Sequence, residues 1–236
     1  MHTFPPFNSK TVPVIVITHV DQAVPMAHAL LAGGIDVMEI TLRHPAGLAA
    51  IEAVAKAVPA MCVGAGTVTT RDDVARVVDV GATFALSPGM TDSLVQAVQD
   101  AKLPFVPGVM TPGEVMRARD FGYGLVKLFP ASQAGGLGML KAMGGPLSDM
   151  RFCPTGGVSL ANMNDFLALP NVAMVGGSWL TPANVVAAAA ASGDWSAITA
   201  LAQEATDQAA HGTSPLPLPL PKRHSHSRPT RGAHTP

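Results

Sequence analysis

The chain has 236 residues and a mass of 24.2 kDa, the size of one domain with room for a tail. Hydrophobic residues make up 48% of it and charged residues 13%, enough for a large core and too apolar for wholesale disorder. Four of the 15 basic residues and none of the 16 acidic ones fall in Gly212–Pro236, so residues 1–211 carry 11 against 16, a net of −5 that exerts no general pull on nucleic acid.

Residues 1–11 are short and read Phe4-Pro5-Pro6-Phe7. They contain no basic segment followed by a long apolar stretch, which argues against secretion. From there β-rich runs alternate with Ala-rich stretches of helical character. The first strand is predicted over Val12–Thr18, with a helix beginning near Asp21. The second is Asp36–Leu42, then a helix near Pro45, and the third Met61–Gly66, then a helix from Thr70. Thr83–Ser87, Phe105–Pro107 and Gly124–Phe129 follow, with helices from Thr91, Thr111 and Gly136. The last strands are Arg151–Pro154 and Val172–Gly176, with helices from Ser159 and Pro182. Thr70, Thr91 and Thr111 suit capping positions, and Gly33-Gly34, Gly81 and Gly122 stand where helices stop.

Eight strand-then-helix units in residues 1–211 match a (β/α)8 TIM barrel, although the count leaves a doubly wound sheet open. Residues 212–236 form a separate tail. Pro215 to Pro221 alternates proline with leucine, and Lys222–Pro236 has three histidines and no large apolar residue. A Pro-rich binding peptide, a histidine metal patch and a basic lure are its functional readings; a disordered extension is the plainer one, and the one adopted here. No apolar run approaches the roughly 18 residues of a membrane span. Cys62 and Cys153 are too few for a disulfide framework and show no zinc spacing, which points to the cytoplasm.

In a barrel, function belongs at the C-terminal strand ends. On the second strand, alternation places Glu39 and Arg43 on one face with Val37 and Thr41, pointing inward near the top. An internal ion pair is the structural alternative to a catalytic carboxylate. Lys127, alone among six lysines, sits inside a strongly apolar strand and shares a face with Leu125 and Phe129. A buried lysine tends to lose its proton and can then form a Schiff base with a carbonyl, or it can serve a structural salt bridge, with Glu39 as one partner. Gly156-Gly157 follows the seventh strand and Gly176-Gly177-Ser178 the eighth, the two loops where this architecture usually binds phosphate. Thr67 and Pro88 add to the same rim. Metal-ligand spacing and a dinucleotide fingerprint are both absent from the sequence. A lysine, a carboxylate, an arginine and a phosphate cradle together suit carbon–carbon chemistry on a phosphorylated keto compound.

Six segments then carry a resemblance. They are Glu39 to Arg43, Gly64 to Val68, Ser87 to Gly89, Val126 to Ala131, Cys153 to Gly157 and Gly176 to Trp179. In order and register, from about Val12 to Pro182, they resemble the 2-keto-3-deoxy-6-phosphogluconate (KDPG) aldolases, also called the 4-hydroxy-2-oxoglutarate aldolase family. The resemblance implies a class I aldolase of the Entner–Doudoroff pathway, yielding pyruvate and glyceraldehyde 3-phosphate without cofactor or metal. It implies that Lys127 forms the Schiff base and that Glu39 is general base and acid. Arg43 and Thr67 would hold the pyruvyl carboxylate, Phe129 would pack by the imine, and Thr155 would contact substrate hydroxyls. Gly156, Gly157 and Ser178 would hold the phosphate, and Pro88 would shape the rim. It also implies a homotrimer whose partners are pyruvate and a phosphorylated keto sugar acid, with no nucleic acid or membrane. Relatives commonly have a longer N-terminal helix over the barrel base, so the short segment here leaves that closure open. A preference for 4-hydroxy-2-oxoglutarate or the galactonate epimer, an isomerase or epimerase on the same loops, and a non-catalytic sugar-phosphate binder are the competing readings.

Overall fold

The computed structural model describes residues 7–210. The tail expected over 212–236 lies outside them. Nine short strands and nine α-helices alternate among the described residues, and every strand pairing is parallel. The strands are β1 (Thr11–Ile15), β2 (Val37–Thr41), β3 (Cys62–Gly66), β4 (Ala85–Leu86), β5 (Phe105–Val106), β6 (Gly108–Val109), β7 (Leu125–Leu128), β8 (Arg151–Phe152) and β9 (Val175–Gly177). They run in the orders β5-β4-β3-β2-β1-β9 and β6-β7-β8. Pro107 interrupts one strand into β5 and β6. Bridges from Phe152 to Val172 and from Thr155 to Gly176 join the other edge. The result is an α/β fold on a curled parallel sheet.

The helices are α1 (Ala23–Ala32), α2 (Gly47–Ala57), α3 (Arg71–Asp79), α4 (Asp92–Asp100), α5 (Pro112–Asp120), α6 (Gly136–Gly144), α7 (Met163–Leu167), α8 (Ala183–Ser192) and α9 (Ser196–Ala210). Parallel sheets are covered on both faces, and β2 is accordingly buried at all five positions. The predicted threonine caps are in place. Thr70, Thr91 and Thr111 accept from the backbone N–H of Asp73, Leu94 and Glu114, supplying groups that a helix start lacks. In α3, Val74 and Val77 face the core while Arg71 and Asp72 face solvent.

Three expectations need correction. The single helix predicted from Pro182 is two, because Gly193 adopts φ +76, a left-handed turn that ends α8. The second helix, α9, packs on α1, where Thr199 and Thr206 donate hydroxyl hydrogen bonds to the carbonyls of Ala29 and Gly33. The helix predicted at Ser159 begins at Met163, after a turn closed by the Asn162 side chain accepting from Ser159 N–H. The first strand stops at Ile15, and Val16 to Thr18 leave the sheet.

At the N-terminal strand ends residues 7–9 pack against the sheet. The Phe7 ring lies 6.4 Å from that of Phe84. Asp36 accepts backbone hydrogen bonds from Asn8 at 2.8 Å and Ser9 at 3.0 Å, and from both side chains. Burial alone would raise its carboxyl, but these donors outweigh it and hold the group below its ordinary value. Among the described residues no helix is long and apolar enough to cross a membrane.

Because the folded state lowers the pKa of Asp36, its contribution is complete above the ordinary aspartate range near pH ~4 and fades as pH falls through the lowered value. Asp36→Ala is expected to cost about 1 kcal/mol at pH 7, a modest figure because the carboxylate is only half-buried. The gap to wild type should close in acid. Urea midpoints measured from pH 7 downward check both statements.

Candidate active site

Glu39 on β2 and Lys127 on β7 come from strands that are not neighbours in the sheet. Their side chains meet across its curled interior. Lys127 Nζ donates to Glu39 Oε1 at 3.0 Å and lies 3.4 Å from Oε2. Both residues are buried, at 4% and 1% exposure. The contact spans 88 residues of sequence. Gly66, at the end of the adjoining β3, makes room for the pair. A Cβ there would fall 2.2 Å from Glu39 Oε1. The Phe129 ring stands 5.3 Å from the ammonium, within cation–π range.

Beside the pair lies a cavity of about 480 Å³. Of the expected residues, Arg43, Phe129, Thr155, Gly156, Gly157 and Ser178 line it. Arg43 is exposed, in the turn just beyond the end of β2, rather than on the strand as alternation suggested. Gly156 and Gly157 have φ of +94 and +81, a backbone that side chains resist and that turns the loop against Pro130 and Ser132. Thr155 is buried at 4% exposure on the bridge to Gly176.

Thr67 and Pro88 do not line this cavity, and neither do Glu39 and Lys127, which adjoin it through Phe129. Thr67 follows β3 with φ +59, rare for a β-branched residue and costing on the order of 1–3 kcal/mol, the kind of strain that collects at functional positions. Pro88 is exposed in the loop after β4. That loop is tied to β6 by Ser87, whose hydroxyl donates to Gly89 and accepts from Gly108 N–H.

The family model for KDPG and KHG aldolases matches residues 7–201. This chain belongs to the KDPG/KHG aldolase family. It is 48% identical over 198 residues to the KHG/KDPG aldolase of Escherichia coli K12, covering 84% of this chain and 91% of that one. It is 50% identical over 199 residues to the 2-dehydro-3-deoxy-phosphogluconate aldolase of Pseudoalteromonas atlantica, with the same coverage. Among solved structures, the KDPG aldolase of Legionella pneumophila, with pyruvate captured as a covalent carbinolamine, superposes with a TM-score of 0.80 at 44% identity, covering 84% of this chain and 94% of that one. The enzyme of Zymomonas mobilis with 3-phosphoglycerate gives 0.77 at 40%, covering 84% and 91%.

Several residues that line this family member's cavity escape the sequence reading, and three of them come from the segment leaving β1. Val16 and Thr18 were assigned to a strand, and Gln22 to a helix start, yet all three line the cavity. Cys153 lies beneath it with Sγ 3.8 Å from Thr155 Oγ1. Burial pushes its thiol up to about 12, against the opposing pull of the Lys127 charge and the Thr155 hydroxyl. Burial also raises the half-exposed Cys62. At pH 8 an aromatic disulfide reagent should therefore modify at most Cys62 in the native protein, releasing the second thiol's signal only in denaturant. Fast native reaction of both would contradict the enclosed environment of Cys153.

Proposed function

We propose that this protein is a class I aldolase that cleaves 2-keto-3-deoxy-6-phosphogluconate to pyruvate and glyceraldehyde 3-phosphate. One observation carries the reading. A lysine and a carboxylate, both buried, stand 3.0 Å apart beside a cavity lined by a glycine loop and an arginine. The carbinolamine in the Legionella relative is the intermediate that such a lysine forms with pyruvate.

The steps follow from the geometry. Glu39 takes a proton from the Lys127 ammonium, and the freed amine adds to the C2 ketone. One proton of the added nitrogen passes to the former ketone oxygen, giving the neutral carbinolamine, and Glu39 returns its own proton to that hydroxyl, which leaves as water and gives an iminium. Glu39 then removes the C4 hydroxyl proton as the C3–C4 bond breaks. The electron pair of that bond moves into the iminium nitrogen, and the aldehyde departs. Protonation of the resulting enamine at C3, followed by addition of water, releases pyruvate and regenerates the amine. One carboxylate suffices because the proton shuttles between steps. Low exposure keeps bulk water from competing for it.

Arg43 grips the pyruvyl carboxylate as a bidentate fork, with Thr67 beside it. Phe129 covers the imine and Thr155 meets a substrate hydroxyl. The backbone at Gly156 and Gly157 and the Ser178 hydroxyl cradle the phosphate, near the N-terminus of α8, while Pro88 shapes the rim. We further propose that the two seams at Pro107 and at β8–β9 complete a (β/α)8 barrel within residues 1–211, that residues 212–236 are a dispensable tail, and that the protein is a cytoplasmic homotrimer. The Escherichia coli relative's double name makes 4-hydroxy-2-oxoglutarate the second substrate to try.

Incubation with pyruvate and borohydride, followed by peptide mapping, should place one reduced adduct on Lys127. Lys127→Ala should retain the fold and lose both adduct and cleavage. Glu39→Gln should lower kcat by about 10²–10⁴ while still trapping some adduct. Turnover that survives loss of Lys127, or that a chelator abolishes, would remove the Schiff-base assignment.

A further inference from the structure

The cavity is bounded on one side by the glycine loop and on another by chain leaving β1. β1 and β9 are hydrogen-bonded neighbours. The segment after Ile15 and the segment at Ser178 therefore emerge side by side. In the former, Gln22 is only 7% exposed, yet it lines the cavity.

Chemistry fixes which way its amide faces. The His19 backbone N–H can only donate, and it lies 3.4 Å from Gln22 Oε1. The Thr18 hydroxyl donates to the same oxygen at 3.4 Å. The carbonyl is thus turned into the loop. The NH2 retains two donors with no protein acceptor among the described residues. Valines 14, 16, 158 and 186 surround the cavity and provide no acceptor side chain. The NH2 opens onto the cavity, where an acceptor oxygen of a ligand can take its hydrogens.

Charge points to the ligand group. Arg43 is the sole charged side chain lining the cavity among the described residues, and the mechanism above commits it to the pyruvyl carboxylate. A phosphate at Gly156, Gly157 and Ser178 then meets no cation there and has to be held by neutral donors. We propose that Gln22 is a binding and specificity residue, its Nε2 donating to a phosphate oxygen of the substrate from the β1 side. The proposal rests on the aldolase reading and adds a phosphate contact from outside the glycine loops.

Two variants separate this contact from a merely structural one. Gln22→Glu keeps an oxygen for His19 and Thr18 but loses the donor; Gln22→Met loses both. Each should raise KM for 2-keto-3-deoxy-6-phosphogluconate at least about tenfold, with kcat within about threefold. Each should leave kcat/KM unchanged for 2-keto-3-deoxygluconate, the same skeleton without phosphate. Borohydride trapping of pyruvate on Lys127 reports that the site remains folded. The proposal falls if Gln22→Met leaves the phosphorylated substrate's KM unchanged, if both substrates suffer alike, or if Gln22→Glu behaves as wild type. Calorimetric titration with inorganic phosphate reads the contact without turnover. Weaker phosphate binding in Gln22→Met, in a protein whose wild type neither traps pyruvate nor cleaves, would sink the aldolase reading and leave this contact standing. Unchanged phosphate binding would sink the contact alone.

Discussion

The site depends on one ion pair placed where water does not reach. Removing two charges from water is expensive, and an isolated buried charge is intolerable. Lys127 and Glu39 stabilise each other across the sheet interior. Because each is the other's main compensation, their positions are coupled. β2 and β7 have to hold their registers, and Gly66 has to remain without a side chain. Buried pairs of this kind add little net stability as a rule. What this one supplies is a proton donor and a proton acceptor held at contact distance before substrate arrives.

Around that pair the polar work is divided by position. Arg43 brings a full cation to the cavity lining, and the other polar groups that line it among the described residues are backbone, hydroxyl and amide groups. Phe129 lines the same cavity and stands 5.3 Å from the Lys127 ammonium. The division follows from the parallel sheet, whose strands all deliver their C-terminal ends to the same side.

The strand–helix alternation, the capping threonines and the inward pair at Glu39 and Lys127 were legible from local patterns. Period two assigns faces, and a lysine in an apolar strand is conspicuous. Arg43 escaped that logic because β2 ends two residues before it, so alternation no longer governs its direction. Gln22 was not legible at all. Its burial comes from the tertiary surroundings, and a glutamine in the first turn of an expected helix carries no mark of a ligand. The split between α8 and α9 was visible only as Gly193, one glycine in an Ala-rich stretch that reads equally well as continuous.

The scarcity of positive charge at the cavity bears on how ligand arrives. Residues 1–211 carry a net of −5 and the whole chain a net of −1, so the far field toward an anionic sugar acid is weakly repulsive, and Arg43 does little to reverse it. Encounter is then unsteered diffusion against a weak barrier, with capture left to short-range groups inside the mouth. Added salt, which slows association where charges attract, would here screen the repulsion over a Debye length of about 8–10 Å and modestly quicken it.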